Sequence, residues 1–537
     1  MNSQQVIEKL GYSDSPAFLQ GERLREHHGY SFVFTQAERQ DRCNLKGVYT
    51  LAPPEESVSG RSLTPVVYVC EVDNEANAQE IHRRVWNQNV VPFLIVVTPK
   101  NIRLYSGFEY DRNQTDEGQV LEVAKSANEV LNRFSAFTSE AIDSGDIWKR
   151  RSLSVDGRVD RHLLADLKKL SEVLTGPEYK LSMEHAHTLI GKYIYLRYLR
   201  DRDILSDKRF KKAEINADDI FGRGANKNRL YQLEEYLDNF LNGSVFPLPR
   251  GSEIQTKHVQ KVAAVFKGDD PESSQQVLFD IYDFSYVPIE TLSVVCQQFL
   301  HAQGQGRSKG AYYTPVHLVN FILNELESKK PIKEGMKIFD ASCGSGAFLV
   351  QCYRRLIESI VRSGKAKLHP TGLKRLLVDH IFGLDADVEA CRVAELSLSL
   401  TLLDYVNPPD LSSKKHKGFK LPKLHNENIF HCKGGFFDDD SLWAKSTAKQ
   451  NFDWIVGNPP WKDEYDLDKR YDQNALNWIN ANKRRYPVGQ QQLAEAFAWK
   501  ITEVLSESGQ CGLLMPALTL FKKYSKSFRA RFFSQVE

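Results

Sequence analysis

From about residue 310 onward, four short apolar runs end in small or polar residues, and helix-length stretches separate them. "KIFDAS", "HIFGLDA", "FDWIVGN" and "GQCGLLMPA" have strand length, whereas "AFLVQCYRRLIESIVRS", "VEACRVAELSLSLTLLDYV" and "QQLAEAFAWKITEVLSE" carry helical periodicity. Alternation of this kind predicts βαβ units and therefore an α/β fold with a doubly wound, Rossmann-like parallel sheet. In such a sheet ligands sit beyond the carboxyl ends of the strands. The chain's least ordinary residues fall at those ends.

The upstream sequence has a different rhythm. A chain of 537 residues exceeds one core and implies two to four domains. Residues 1–140 mix strand and helix: "VVYVCEV" (66–72) and "VVPFLIVVT" (90–98) read as strands around a short helix, and "NIRLYSGF" (101–108) as a hairpin partner of the second. Residues 141–305 are helix-rich; in "HTLIGKYIYLRYLRDRDIL" Leu189, Tyr193 and Leu196 share one face, with Ile190 and Ile194 beside them. "YVPIETLSVVCQQFLHAQ" is a further helix with Pro288 near its first turn. Residues 306–537 form the third part.

Charge and cysteine usage narrow the function classes. Lys and Arg number 71 against 69 Asp and Glu, so the near-neutral total neither requires nor excludes nucleic acid. The eight cysteines form no CxxC pair and no His/Cys cluster of zinc-ligand spacing, which reads as reduced core thiols in a cytosolic protein and no metal site. No secretory leader is visible at the N-terminus, and no apolar stretch reaches the ~18 residues of a membrane span.

Four strand ends carry candidate chemistry. "IFDASCGSGAFL" (338–349) is strand, acid, glycine turn and helix; Gly344 and Gly346 permit a tight turn and close approach of a ligand, although a plain β–α turn looks the same. Asp385 in "GLDAD" is placed to accept hydrogen bonds from ribose hydroxyls, and Asp387 to cap the next helix. Asn428 in "NENIF" offers an amide to an adenine edge, or is a turn residue. The turn lacks a full GxGxxG run, which argues against a dinucleotide cofactor.

The fourth strand ends in Asn458-Pro459-Pro460-Trp461. Prolines cannot continue a ladder, so the strand stops at Gly457. The Asn458 and Pro459 carbonyls form two fixed acceptors suited to one NH₂ group, and Trp461 offers a flat face for a planar ring. Together they describe a socket for an aromatic amine or amide beside a methyl donor.

With "GAYYTP" (310–315), "DASCGSGAFL" (340–349), "GLDAD" (383–387), "NIF" (428–430) and "NPPW" (458–461) in this order, the sequence resembles the adenine-N6 DNA methyltransferases of type I and type IIG restriction-modification proteins over roughly residues 150–537. The resemblance implies S-adenosyl-L-methionine as cofactor: Tyr312, Tyr313 and Thr314 close over its methionine part, Asp340, Gly344 and Gly346 cradle it, Asp385 holds the ribose and Asn428 contacts the adenine. Asn458, Pro459, Pro460 and Trp461 then hold a base flipped out of double-stranded DNA, for direct methyl transfer without metal or covalent intermediate. The same socket suits cytosine N4, a guanine amine in RNA or a protein glutamine, and a non-catalytic DNA-binding or assembly subunit is the remaining alternative. In the family a last strand pair, a second base-contacting aromatic and a target-recognition part follow; the sequence stops at Glu537 before them, so a missing part or a specificity subunit is expected to read the DNA site.

The N-terminal part is read as an unrelated α/β domain or as a degenerate relative of restriction-type nuclease domains, whose layout it resembles; Asp73 stands where their Glu-x-Lys motif after Glu71 would have Lys, so no cleavage is expected. The basic stretches "SKKHKGFKLPK", "NKRRYPVGQQQ" and "FKKYSKSFRARFF" are solvated surface or phosphate contacts; the latter two follow the Asn-Pro-Pro-Trp strand.

Overall fold

A computed structural model describes residues 2–21, 44–51, 64–111, 114–150, 154, 156–241, 246–251, 253–272, 281–300, 314–362, 369–408, 411, 419–447, 451–467 and 472–536. The chain divides into two compact units, Met1–Gln232 with Leu248–Thr291, and Leu233–Pro247 with Leu292–Glu537.

The first unit is built on a six-stranded sheet in the order β1-β2-β3-β4-β5-β6: Phe18–Leu19, Asn44–Thr50, Pro65–Glu71, Phe93–Val97, Ile102–Ser106 and Val120–Ala124. Only β3 and β4 run parallel, joined by the helix Glu75–Gln88. Their apolar runs are continuous because both faces are buried. Val67, Val69, Ile95 and Val97 point into one apolar cluster, whereas Tyr68, Cys70, Leu94 and Val96 point into the other. The expected hairpin is present: β4 and β5 pair antiparallel from Phe93↔Ser106 to Val97↔Ile102. Glu71 ends β3 and lies 3.7 Å from Lys46 of β2, with Ser3 bonded to the same carboxylate oxygen. The helix Met183–Asp201 is buried on more than its expected face; Lys192 and Arg197 are enclosed as well.

The second unit holds a five-stranded, all-parallel sheet in the order β11-β10-β7-β8-β9. The strands are β7 Ile338–Asp340, β8 Ile381–Asp385, β9 Ile429–His431, β10 Phe452–Gly457 and β11 Leu505–Leu513. The strand order reverses between β7 and β10, which opens a crevice at their carboxyl tips. One face carries an aromatic layer: Phe339 stacks on Phe452 at 4.8 Å and on Trp443 at 5.1 Å. On the opposite face a methyl at Gly383 would meet Leu349 at 2.7 Å, so the helix Ala347–Arg362 packs directly on the strand. The helix expected to run through "TEVLSE" stops at Ile501, and β11 begins at Leu505. Pairing of Phe452 with Leu505 overrides the local helix propensity of that stretch.

Asn428 fastens the start of β8. Its side-chain amide donates to the carbonyls of Val378 and Ile381, both at 2.8 Å, and its own carbonyl accepts from Gly383. Replacing it by Ala strips two carbonyls of a buried donor. Asn428→Ala should destabilise the protein by about 1–3 kcal/mol in urea unfolding followed by circular dichroism.

Candidate active site at the strand tips

Asp340 closes β7 and is 1% exposed. Burial, opposed by the Ser342 N–H and aided by the nearby Asp385 charge, holds its carboxyl up at about 8. That N–H donates to Oδ1 at 3.0 Å. The chain then turns through Gly344 (φ 52°) and Gly346 (φ 84°), both in the left-handed region that favours glycine. A side chain at Gly346 would also lie 3.2 Å from Ala394.

Asp385, at the tip of β8, braces that turn. Its Oδ2 accepts from the Gly344 N–H and its Oδ1 from the Asp387 N–H, each at 2.9 Å. Asp387 caps the helix Val388–Asp404 by accepting from the Glu389 N–H at 2.9 Å. Asp340, Asp385 and the two glycines thus form one cradle beyond the tips of β7 and β8.

The Asn458 loop joins this cradle across the reversal in strand order. Gly457 passes so close to Asp340 that a Cβ would lie 2.6 Å from its Oδ1. The Asn458 backbone carbonyl accepts from Ser342 Oγ at 3.2 Å, and its side-chain Nδ2 donates to Thr314 Oγ1 at 3.1 Å. Its Oδ1 is buried with no hydrogen-bond partner among the described residues. Pro459 is buried and Pro460 half-buried. Trp461 folds back over the sheet edge, its Nε1 donating to the Leu514 carbonyl at 3.2 Å, while the side chain stays 40% exposed.

Asn458 is thereby bonded to Thr314 and, through Ser342, to Asp340, and Gly344 is bonded to Asp385. Tyr312 and Tyr313 lie outside the described residues. Asn428 requires a correction: it precedes β9 rather than ending it, it is 1% exposed, and both its amide hydrogens are spent on carbonyls at the start of β8. It therefore lies at the amino edge of the sheet and does not face the cradle. The residue level with Asp385 is His431. Ser342 escaped the sequence reading; its only signal was a hydroxyl between the strand acid and the glycines of "DASCGSG".

Residues 290–533 match the N-6 DNA Methylase family. The type II methyltransferase M.BstVI of Geobacillus stearothermophilus is 28% identical over 231 residues, which are 42% of this chain and 36% of that protein. The type I restriction enzyme HindI methylase subunit of Haemophilus influenzae is 24% identical over 32% of this chain and 34% of its own length. The chain thus spans about a third of these relatives. Among solved structures the DrdV–DNA complex aligns over 99% of this chain and 52% of that one, at 16% identity and a TM-score of 0.40.

The raised value of Asp340 has a definite sign. A carboxyl held at about 8 when folded and at 3.8 when free favours the fold most at low pH, and this contribution is lost as pH rises from about 4 to about 8. Asp340→Asn mimics the neutral acid. Urea midpoints measured across that range should fall less with rising pH in the variant than in the wild type.

Proposed function

With residues 290–533 matching the N-6 DNA Methylase family, we propose that this chain is an adenine-N6 DNA methyltransferase. It transfers a methyl group from S-adenosyl-L-methionine to a base flipped out of double-stranded DNA, within a cytoplasmic restriction-modification system. The observation that carries the reading is the Asn458 Oδ1, buried without a hydrogen-bond partner among the described residues. A buried acceptor without a donor costs about 1–3 kcal/mol, and such exceptions in a native fold call for an explanation. An exocyclic NH₂ group supplies the missing donor.

The local arrangement supports this use. Thr314 takes the Asn458 amide hydrogen and Ser342 binds its backbone carbonyl, so the free oxygen has a fixed direction. Accepting a hydrogen bond from the target NH₂ group turns the nitrogen lone pair out of the ring plane, toward an electrophile. Trp461 offers the ring a stacking surface worth ~1–3 kcal/mol, comparable to the few kcal/mol that base extrusion costs.

The cradle fits the cofactor in its donor set. Asp340 is a buried acid that a cationic ammonium would ionise, the glycine turn leaves backbone accessible, and the half-buried Asp385 places a carboxylate at the strand tip beside that turn, where a ribose diol would bind. S-adenosylmethionine supplies a methyl group made electrophilic by its sulfonium. Asn458 and Asp385 therefore divide the work: one orients the acceptor nitrogen, the other retains the cofactor. The relatives named as methylase subunits support a partner subunit that reads the DNA site.

The two roles separate in variants. Asn458→Ala should leave S-adenosylmethionine affinity nearly unchanged in calorimetry while tritiated-methyl transfer to DNA, assayed together with the recognition part, falls by orders of magnitude. Asp385→Ala should weaken cofactor binding about tenfold or more, the loss of a charge-assisted bond. Near-normal methylation by a folded Asn458→Ala protein would remove the residue from the mechanism.

A further inference from the structure

A second concavity adjoins the Asn458 loop. It is a cleft of about 180 Å³ bordered by Trp461, Asp463, Gln490, Gln492, Thr519 and Lys522 among others, and neither Asn458 nor the two prolines line it. It is smaller than the ~300–1,000 Å³ of cofactor and drug sites, and its volume suits a single planar ring.

Its floor is built and held. The Gly489 N–H donates to Oε2 of the wholly buried Glu495 at 2.7 Å, and a Cβ at Gly489 would strike the Tyr524 carbonyl at 2.7 Å. The next two residues, Gln490 (φ 48°) and Gln491 (φ 54°), are non-glycines in the left-handed region. Such strain concentrates at ligand clamps. The strap after Trp461 is stitched to this loop: the Glu464 N–H donates to the Gln490 carbonyl and the Leu493 N–H to the Lys462 carbonyl, each at 2.9 Å.

The wall built from residues 516–536 is cationic and aromatic, whereas the strap after Trp461 carries Asp463, Glu464 and Asp466. The stretch 516–536 contains Lys522, Lys523, Lys526, Arg529 and Arg531 and no acid. Arg531 donates to the Arg484 carbonyl at 2.8 Å, which joins this stretch to Lys483, Arg484 and Arg485 in one basic face. Phe521, Tyr524 and Tyr465 are 77%, 65% and 81% exposed. Exposed rings interleaved with cations are how proteins hold unstacked nucleic-acid strands. Asp463 is the acid of the cleft, and its Oδ2 lies 3.6 Å from Lys522 Nζ.

We propose that this cleft is a nucleotide subsite beside the Asn458 socket, Trp461 being the wall the two share, and that it takes one unstacked base of the DNA strand next to the target while that nucleotide's phosphodiester replaces Asp463 on Lys522. The inference rests on the nucleic-acid reading of the Asn458 site. It means that the chain grips the strand at a second point, independently of any part that reads sequence.

The test uses a fluorescently labelled short oligothymidylate, with anisotropy titrations at several salt concentrations and S-adenosylmethionine calorimetry on each protein. Lys522→Ala should weaken oligothymidylate binding about tenfold and lower the salt slope by roughly 0.7, one single-strand phosphate contact. Asp463→Asn should tighten it, a gain that damage to the fold does not produce. Lys523→Ala, outside the cleft, should cost clearly less than Lys522→Ala. Equal losses for the two lysines would mean a diffuse basic surface and overturn the subsite, as would wild-type affinity in Lys522→Ala. Wild-type protein that binds oligothymidylate in this pattern but not S-adenosylmethionine would overturn the transferase reading and leave the subsite standing.

Discussion

The absence of a side chain at residue 457 sets the geometry of the strand-tip site. A methyl there would collide with the Asp340 carboxyl, so glycine is what lets the end of β10 run beside the end of β7. From that close approach follow the Ser342–Asn458 bond, the direction of the Asn458 amide and the position of Thr314 against it. The parallel strand order supplies the crevice, and one missing carbon decides how tightly its two walls meet.

Most of the second unit could be read from the sequence because its signals are local. The runs that became β7, β8 and β10 each ended in a residue that a buried strand does not tolerate, and those endings marked the crevice. Asn428 failed for a related reason. A strand of three residues leaves too little periodicity to show whether a flanking Asn comes before or after it, and only the pairing of Asp385 with His431 fixes the register. The extent of β11 was hidden similarly: "TEVLSE" has helix-forming residues, and the alternative emerges only once Phe452 is available as a partner.

Tertiary proximity was the larger omission. Nothing in "VGQQQL" announces that Gly489 must lie against Tyr524, or that Glu495 lies beneath the loop as a buried acceptor. The two basic stretches were visible as composition, yet their union through Arg531 and Arg484 depends on how the Trp499, Phe528 and Phe532 rings pack between them. Strain at Gln490 is likewise a product of contacts that surround the loop on several sides.

The neutral carboxyl of Asp340 has one more consequence. Two ionised aspartates at adjoining strand tips would attract any abundant hard cation, since magnesium and calcium seek clustered anionic oxygens. With a value near 8, Asp340 keeps its proton at neutral pH, so the resting cradle does not present a pair of charged carboxylates to bystander ions. A visitor must displace a proton and bring its own hydrogen bonds to be held, so chemical fit rather than charge alone governs admission.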